Sequence, residues 1–171
     1  MIELEKTYLA KYLPDSLKNC EFKEVIDIYL PANSAHPKMR LRKNGDSYEI
    51  TKKERVNEND ASEQKEYTIN LTADEFAALS QVRGKKVRKI RYDLETNNRL
   101  AEVDVFQDDL AGLVLVDFEF ESSLEKDNFK MPDFCLADVT QEDFVAGGML
   151  CGKKYANIES FLFKYGYQKI M

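Results

Sequence analysis

The chain of 171 residues contains no tryptophan, a single histidine and only three cysteines. Cys20, Cys135 and Cys151 are odd in number and far apart, so they form neither a disulfide framework nor a CxxC metal pair. His36 lies in the loop-like stretch PANSAHPK, which argues against histidine-based catalysis. The sequence therefore predicts neither a histidine-rich zinc site nor a disulfide-stabilised fold.

Long apolar runs are also absent. No stretch approaches the roughly 20 apolar residues that a membrane-spanning helix needs, and the start, MIELEKTY, has no signal-peptide core. The hydrophobic fraction of 43% and the charged fraction of 33% are typical of a globular protein rather than a disordered one. We expect one domain over residues 1–171, in a cytoplasmic protein that does not act at a membrane.

Charge is abundant and is sorted along the chain. The net charge of −6 argues against a nucleic-acid partner. Residues 38–55 contain seven Lys/Arg against three acids, and residues 83–91 contain six Lys/Arg and no acid. Residues 102–127 contain nine acids against Lys126 alone. Sorting of this kind needs a structural explanation.

Apolar and charged residues alternate with the period of two that is typical of β-strands. Ile2 and Leu4 alternate with Glu3 and Glu5, and an Asn-Gly hairpin signal follows one of the basic segments. The alternating segments lie near residues 2–5, 39–42, 49–53, 64–69, 89–92, 102–105 and 116–121. The pattern predicts at least seven strands spread over the whole chain.

Helices are expected between the strands. Thr72 and Glu75 form a capping-box signature for a helix that ends by Gly84. Three further expectations are a short helix from Ser16 to Val25, a helix capped by Thr140, and a last helix over residues 158–164 that ends at Gly166. The polar residues 55–63 are expected to form a mobile loop.

The usual explanation of alternating strands is an open sheet with one wet face. Here, however, acids and bases replace the usual Thr, Ser and Gln, and like charges two residues apart repel by roughly 0.2–1 kcal/mol. A closed barrel accounts for both features, because its charged faces point inward and its apolar faces meet surrounding helices. The interior then has an acidic wall and a basic wall.

The two walls suggest a ligand. Carboxylates at positions i and i+2 suit a hard divalent cation such as Mg²⁺ or Mn²⁺. Arg and Lys on the facing wall suit phosphate oxygens. A chain of phosphates with bound metal satisfies both walls, and buried charges without partners are very costly. The interior is therefore expected to be water-filled or occupied.

Six segments of the chain, in order, resemble the motifs of one known family. Glu3-Leu4-Glu5 resembles an ExExK signature, and MRLRKNGDSYEITKK resembles an RxR hairpin followed by a TxK strand. QKEYTI is similar to ExEYxI, RKIRYDL to a KxRY strand, EVDVFQDDLAGLVLVDFEFE to xVDxFxGxLxGLxLxExE, and LADVT to an EVT element. These are the motifs of the CYTH family of triphosphate tunnel metalloenzymes, which includes inorganic triphosphatases, thiamine triphosphatases and class IV adenylate cyclases.

The resemblance implies an α+β fold: a closed eight-stranded antiparallel β-barrel with helices packed outside. It implies one Mg²⁺ or Mn²⁺ and a bound triphosphate. The implied metal ligands are Glu3, Glu5 and Glu119, which are also the catalytic candidates, with help from Asp104 and Asp117. The implied substrate-binding residues are Arg40, Arg42, Lys53, Glu66, Lys89, Arg91 and Lys153.

Three positions depart from the family pattern. Thr7 stands where relatives carry a lysine implicated in catalysis or phosphate binding, and Lys6 should point to the other face of its strand. Asp117 replaces the usual Glu, and Gln64 stands where many members carry an acid. Lys153 and Lys154, in the glycine-rich stretch AGGMLCGKKY, either reach the tunnel or form a solvated pair.

Three functions remain open from the sequence. The preferred one is metal-dependent hydrolysis of a linear triphosphate: inorganic tripolyphosphate, a nucleoside triphosphate or thiamine triphosphate. Adenylate cyclase activity is less favoured, because nothing in the sequence indicates a dedicated adenine pocket. A non-catalytic polyphosphate-binding or nucleotide-binding module is favoured only by Thr7. Family members are often dimers, so a homodimer is a further expectation.

Overall fold

The computed structural model describes residues 1–171 and contains nine β-strands and four α-helices. The strands are β1 (Ile2–Ala10), β2 (Phe22–Leu30), β3 (Met39–Asn44), β4 (Ser47–Asn57), β5 (Asp60–Leu71), β6 (Lys85–Thr96), β7 (Arg99–Phe106), β8 (Val114–Phe120) and β9 (Cys135–Asp138). The helices are α1 (Ala73–Leu79), α2 (Ser123–Asn128), α3 (Gly147–Leu150) and α4 (Tyr155–Phe163). None of the helices is long and apolar enough to cross a membrane.

Strands β1 to β8 form a closed antiparallel barrel, which confirms the predicted fold. Their order is β5-β4-β3-β2-β6-β7-β8-β1, and β1 returns to pair with β5. This closing seam runs from the pair Ile2–Lys65 to the pair Leu4–Glu63. Strand β9 lies outside the closed ring and pairs with the far end of β1, at Tyr8, Leu9 and Ala10.

Two apolar cores lie against the barrel wall. The outer faces of β1, β7 and β8, including Val103, Val116 and Phe118, form one core with Phe134 and Cys135. The second core joins barrel side chains to the C-terminal segment: Leu9, Val87, Phe106 and Leu115 pack with Leu150, Ile158 and Leu162. The C-terminal segment thus covers one end of the barrel.

Two predicted helices are present, and the second has a shifted start. In α1 the Thr72 hydroxyl accepts from the Glu75 amide at 3.2 Å, and the Thr72 amide donates to the Glu75 carboxylate at 2.8 Å. This confirms the capping box, and α1 ends at Leu79, in agreement with a helix that ends by Gly84. The last helix, α4, begins three residues earlier than expected, and Gly166 follows it with a φ of +68°.

Three local predictions are wrong. Residues 16–25 form a short 3₁₀ helix that ends at Asn19, followed by the start of β2. Residues 55–63 are not a mobile loop, because β4 and β5 pair almost to their turn, out to Asn57–Asp60. Thr140 caps no helix. Its hydroxyl donates to Asp138 at 2.5 Å and accepts from the Thr7 amide at 3.1 Å, so it ties the chain to β1 instead.

Candidate tunnel site

The barrel interior contains a polar cavity of about 700 Å³, called the tunnel below. Alternation along the strands turns many charged side chains into it. The expectation that the apolar faces meet helices is met only in part, because Tyr67 and Ile69 on the outside of β5 are exposed. Eleven of the twelve predicted site residues line the tunnel. They are Glu3, Glu5, Arg40, Arg42, Lys53, Glu66, Lys89, Arg91, Asp104, Asp117 and Glu119.

Lys153 and Lys154 do not line the tunnel, which corrects the expectation that one of them reaches it. The same segment approaches through its glycines. A Cβ on Gly147 would stand 1.9 Å from the Tyr29 hydroxyl, and a Cβ on Gly148 would stand 2.2 Å from a backbone oxygen. The glycines are therefore required for close packing at the tunnel wall, and the lysines lie beyond it.

Lys53 of β4 occupies a cluster of three carboxylates. Its ammonium forms an ion pair with Glu3, lies 3.2 Å from Glu66 and 3.7 Å from Glu5. Burial, together with the repulsion of Glu5, raises the pKa of Glu3 to about 7 although Lys53 opposes the shift. One ammonium is thus not enough to neutralise the acids around it.

A second group of carboxylates lies where β1 and β8 pair. Glu5 is directly opposite Glu119, and Thr7 is directly opposite Asp117. The Thr7 hydroxyl donates to Asp117 at 2.7 Å, which shows that position 7 faces the tunnel. Burial, then the charge of Glu5, raises the pKa of Asp117 well above its usual range. Burial, then Glu102 and Glu5, also raises the pKa of Glu119.

No three acidic, histidine or cysteine side chains converge as a ready-made metal cage. The donor set nevertheless fits a hard divalent cation. Glu3, Glu5, Asp117 and Glu119 supply only oxygen ligands. Burial, with a smaller contribution from neighbouring carboxylates, raises the pKa of Glu3, Asp117 and Glu119, and a bound cation would favour their ionised forms. Binding a cation here requires the carboxylates to shift toward it.

Lys89 and Arg91 of β6 are held by Asp104 of β7. Arg91 donates to both oxygens of Asp104 at 2.7 Å, and Lys89 forms an ion pair with the same carboxylate. Burial would raise the pKa of Asp104, but Lys89 and Arg91 together lower it to about 2. Asp104 is therefore an ionised anchor for two bases, and its oxygens are already engaged.

Arg42 and Arg40 of β3 are arranged around Asp27 of β2. Arg42 donates from Nε and Nη2 to the two oxygens of Asp27 at 2.7 and 2.9 Å. Arg40 is less well paired: its closest approach to Asp27 is 3.9 Å, and its Nη1 lies 3.4 Å from the Tyr29 hydroxyl. The Nε of Arg40 is buried without a hydrogen-bond partner, so this donor is left unsatisfied in the structure.

The tunnel lining as a whole is acidic. It includes thirteen acidic and seven Lys/Arg residues. An unaccompanied polyphosphate would therefore meet net repulsion despite the local basic clusters. A phosphate chain that brings divalent cations matches both the bases and the excess carboxylates.

The structure adds lining residues that the sequence did not identify as site residues. Asp27 and Tyr29 lie on β2, whose start was mistaken for a helix, and Glu102 forms an ion pair with Arg91. Glu102 carried a usable signal, because it alternates with Asp104 on a predicted strand. His36 also lines the tunnel, and burial lowers its pKa.

Comparison with known proteins supplies the final observations. No family model matches the chain. An inorganic triphosphatase of Nitrosomonas europaea is 31% identical over 144 residues, which span 83% of this chain and 91% of that protein. The crystal structure of the inorganic triphosphatase NE1496 superposes with a TM-score of 0.62 at 26% identity and covers 87% of this chain and 93% of its own.

A putative adenylate cyclase from Bacillus halodurans has a TM-score of 0.53 at 12% identity, and the match covers 99% of this chain and 92% of the other. At that level of identity the likeness is one of fold alone.

Proposed function

The chain belongs to the CYTH family of triphosphate tunnel enzymes and is a triphosphate hydrolase, and we propose that its substrate is inorganic tripolyphosphate with a bound divalent cation. The observation that carries the proposal is one tunnel in which unneutralised carboxylates and buried guanidinium donors face the same space. A linear triphosphate needs only charge recognition, and no stacking platform for a base is required.

In this proposal the phosphate oxygens contact the basic residues. Arg40 is one of these, since it lines the tunnel and is less closely paired with Asp27 than Arg42 is. Lys89 and Arg91 present their remaining donors while Asp104 holds them in place. Because the oxygens of Asp104 are occupied in this way, we assign it to positioning the bases rather than to the metal ligands expected from the sequence.

Glu3, Glu5, Asp117 and Glu119 would hold the divalent cation, for which Mg²⁺ or Mn²⁺ is the best match to an all-oxygen donor set. When bound, such an ion polarises phosphoryl oxygens and offsets their charge. Lys53 lies among these carboxylates and next to the same space, so its ammonium can pass from Glu3 to a phosphate oxygen once a cation has entered.

Catalysis by the chain itself consists of positioning and charge stabilisation. Phosphoryl transfer spreads negative charge over the equatorial oxygens of the transferring group, and fixed guanidinium and ammonium donors stabilise that charge. Ion pairs hold these donors before substrate arrives, so little reorganisation is needed during reaction. One end of the tunnel is lined by apolar residues, which limit the number of water molecules around the bound triphosphate: Val87, Phe106, Leu115 and Val145.

The test is a product assay with the purified protein. Tripolyphosphate, ATP and thiamine triphosphate are each incubated with Mg²⁺ or Mn²⁺. Orthophosphate release with the highest kcat/KM for tripolyphosphate is expected. Glu5→Gln should reduce kcat/KM for tripolyphosphate by about 100-fold or more, because a carboxylate charge that would face the metal is lost. Glu24→Gln is the control, since Glu24 lies outside the tunnel and pairs with Arg88 at 3.1 Å.

Two results would contradict the proposal. Cyclic AMP and pyrophosphate from ATP would indicate a cyclase. Binding of all three compounds without any product would indicate a module that does not turn over.

A further inference from the structure

Asp27 is a carboxylate placed on the phosphate-binding side of the tunnel. It lies at the middle of β2, directly opposite Arg42 on β3. Only 3% of the residue is exposed, yet it belongs to the tunnel lining. It is ionised, since Arg42 and Arg40 lower its pKa more strongly than burial raises it. A buried negative charge at this position is unexpected in a site that binds an anion.

The carboxylate fills the fork of Arg42. Two parallel hydrogen bonds, of 2.7 and 2.9 Å, join the guanidinium to Asp27 in the geometry that guanidinium groups also use for phosphate. Asp27 therefore occupies the donors that a phosphate would otherwise take. Arg40 keeps an unpaired Nε, so the pair of arginines is only partly satisfied.

The same contact fixes where the two guanidinium groups lie. Arg42 cannot turn away from Asp27 without leaving a buried carboxylate unpaired, which is strongly unfavourable. Arg40 lies 3.9 Å from the same carboxylate and is attracted to it. One acid on β2 thus positions both arginines of β3.

We propose that Asp27 is a positioning residue that holds Arg42 and Arg40, an inference that rests on the proposed function. The negative charge of Asp27 also makes the tunnel bind triphosphate in its cation-bound form. A bare triphosphate competes with Asp27 for the Arg42 fork and is repelled by it. A bound cation lowers the charge of the chain and removes most of that repulsion. Substrate selection thus depends on the charge state of the ligand as well as on its shape.

The test compares the binding of bare tripolyphosphate, in EDTA, to the wild-type chain and to Asp27→Asn by calorimetry. The amide can still accept one hydrogen bond from Arg42 but carries no charge. Asp27→Asn should bind bare tripolyphosphate about tenfold or more tightly, because one repulsive charge near the ligand is gone. With Mg²⁺ present, kcat should fall several-fold while KM does not rise, since Arg42 is less well held.

Two variants separate charge from structure. Asp27→Glu retains the charge and should bind bare tripolyphosphate as weakly as the wild type. Glu24→Gln removes one charge from the outer face of the same strand and should leave this binding unchanged. If Asp27→Asn is too unstable to purify, Asp27→Ser replaces it. Adding tripolyphosphate in EDTA should then raise the melting temperature of Asp27→Ser more than it raises that of the wild type.

Equal or weaker binding by the neutral variants would overturn the inference. The comparison is independent of catalysis, because it is made without metal and without turnover. Failure of the proposed function would instead appear as no orthophosphate release by the wild-type protein with any metal.

Discussion

At residue scale, position 7 is the clearest departure from the family pattern. Thr7 faces the tunnel and donates its hydroxyl to Asp117 at 2.7 Å, with Glu5 at 3.5 Å. A lysine there would put an ammonium between two carboxylates and next to the phosphate-binding space. The hydroxyl can orient Asp117 but cannot neutralise it.

Thr7→Lys is therefore expected to raise kcat for tripolyphosphate. A positioned donor at a reacting group typically raises the rate of an enzyme by about 10²–10⁴-fold. We expect a smaller gain in kcat, of about tenfold, because the residues around position 7 pack against a threonine. Steady-state kinetics with Mg²⁺ measure the effect. Thr7→Met gives similar length without charge and should show no gain.

Lys6→Thr is a second control, since Lys6 does not line the tunnel. Equal rates for Thr7→Lys and Thr7→Met would mean that charge at position 7 does not limit turnover.

The site could be predicted at this scale only where the alternation was regular. Glu3 and Glu5 were identified because apolar residues separate them. Asp27 was missed because the inward face of β2 mixes Lys23, Val25 and Tyr29 with it, so no period-two charge pattern exists. Which acid pairs with which base depends on strand register, and register was not available from the sequence.

At element scale, α2 fastens the seam that closes the barrel. Lys126 is only 5% exposed, and its ammonium donates to Ser62 at 2.7 Å and to Glu63 at 2.8 Å. Glu63 pairs across the seam with Leu4 of β1. The single lysine in the acidic stretch is thus a buried link between a helix and β5.

Lys126→Met should lower the free energy of unfolding by about 1–3 kcal/mol, because hydrogen bonds to buried partners are lost and Glu63 loses its counter-ion. Urea denaturation measures this change. Hydrogen exchange should also accelerate at residues 2–4 and 63–65. Lys130→Met, at an exposed position just after α2, is the matched control. If hydrogen exchange at residues 2–4 and 63–65 were unchanged in Lys126→Met, Lys126 would not stabilise the closing seam.

The elements themselves were predictable where one face was apolar and the other charged, as in β1, β3, β7 and β8. The hairpin at residues 55–63 was not, because its polar composition is typical of a loop. Pairing and contacts from elsewhere order it: Arg55 lies 2.5 Å from Asp143, and the Ala61 amide donates to Gln141 at 2.9 Å. Such long-range partners are invisible in a local pattern.

At the scale of the whole molecule, the crowded carboxylates link stability to pH. The pKa of Glu3 is raised to about 7, and those of Asp117 and Glu119 are also raised. Between about pH 4.5 and 7 the folded protein therefore binds more protons than the unfolded chain does. The metal-free protein should lose stability as pH rises through this window.

Asp104 changes the stability of the fold with pH in the opposite direction. With a pKa of about 2, it stabilises the fold above the pKa of the unfolded chain, and this contribution is lost only as pH falls toward 2. The two effects occupy separate pH windows.

Melting curves in EDTA should therefore show a lower Tm at pH 8 than at pH 5.5. Added Mg²⁺ or Mn²⁺ should raise Tm more at pH 8, where the carboxylates are ionised and a cation replaces the missing proton. Glu3→Gln should flatten the metal-free profile. A metal-induced gain equal at both pH values would show that these carboxylates do not bind the cation.

The charge of the tunnel lining has a kinetic consequence. The chain has 31 acidic and 25 basic residues, and the tunnel lining includes thirteen of the acidic and seven of the basic ones. The remaining residues are therefore balanced, with eighteen of each sign. A diffusing ion thus meets an almost neutral exterior until it is within about 8 Å of the entrance at physiological ionic strength. Beyond that screening length nothing guides a polyanion inward, whereas a divalent cation is drawn in once it arrives. A triphosphate that has bound a cation carries less negative charge and is repelled less, so the rate at which the tunnel captures triphosphate should rise with the concentration of the divalent cation.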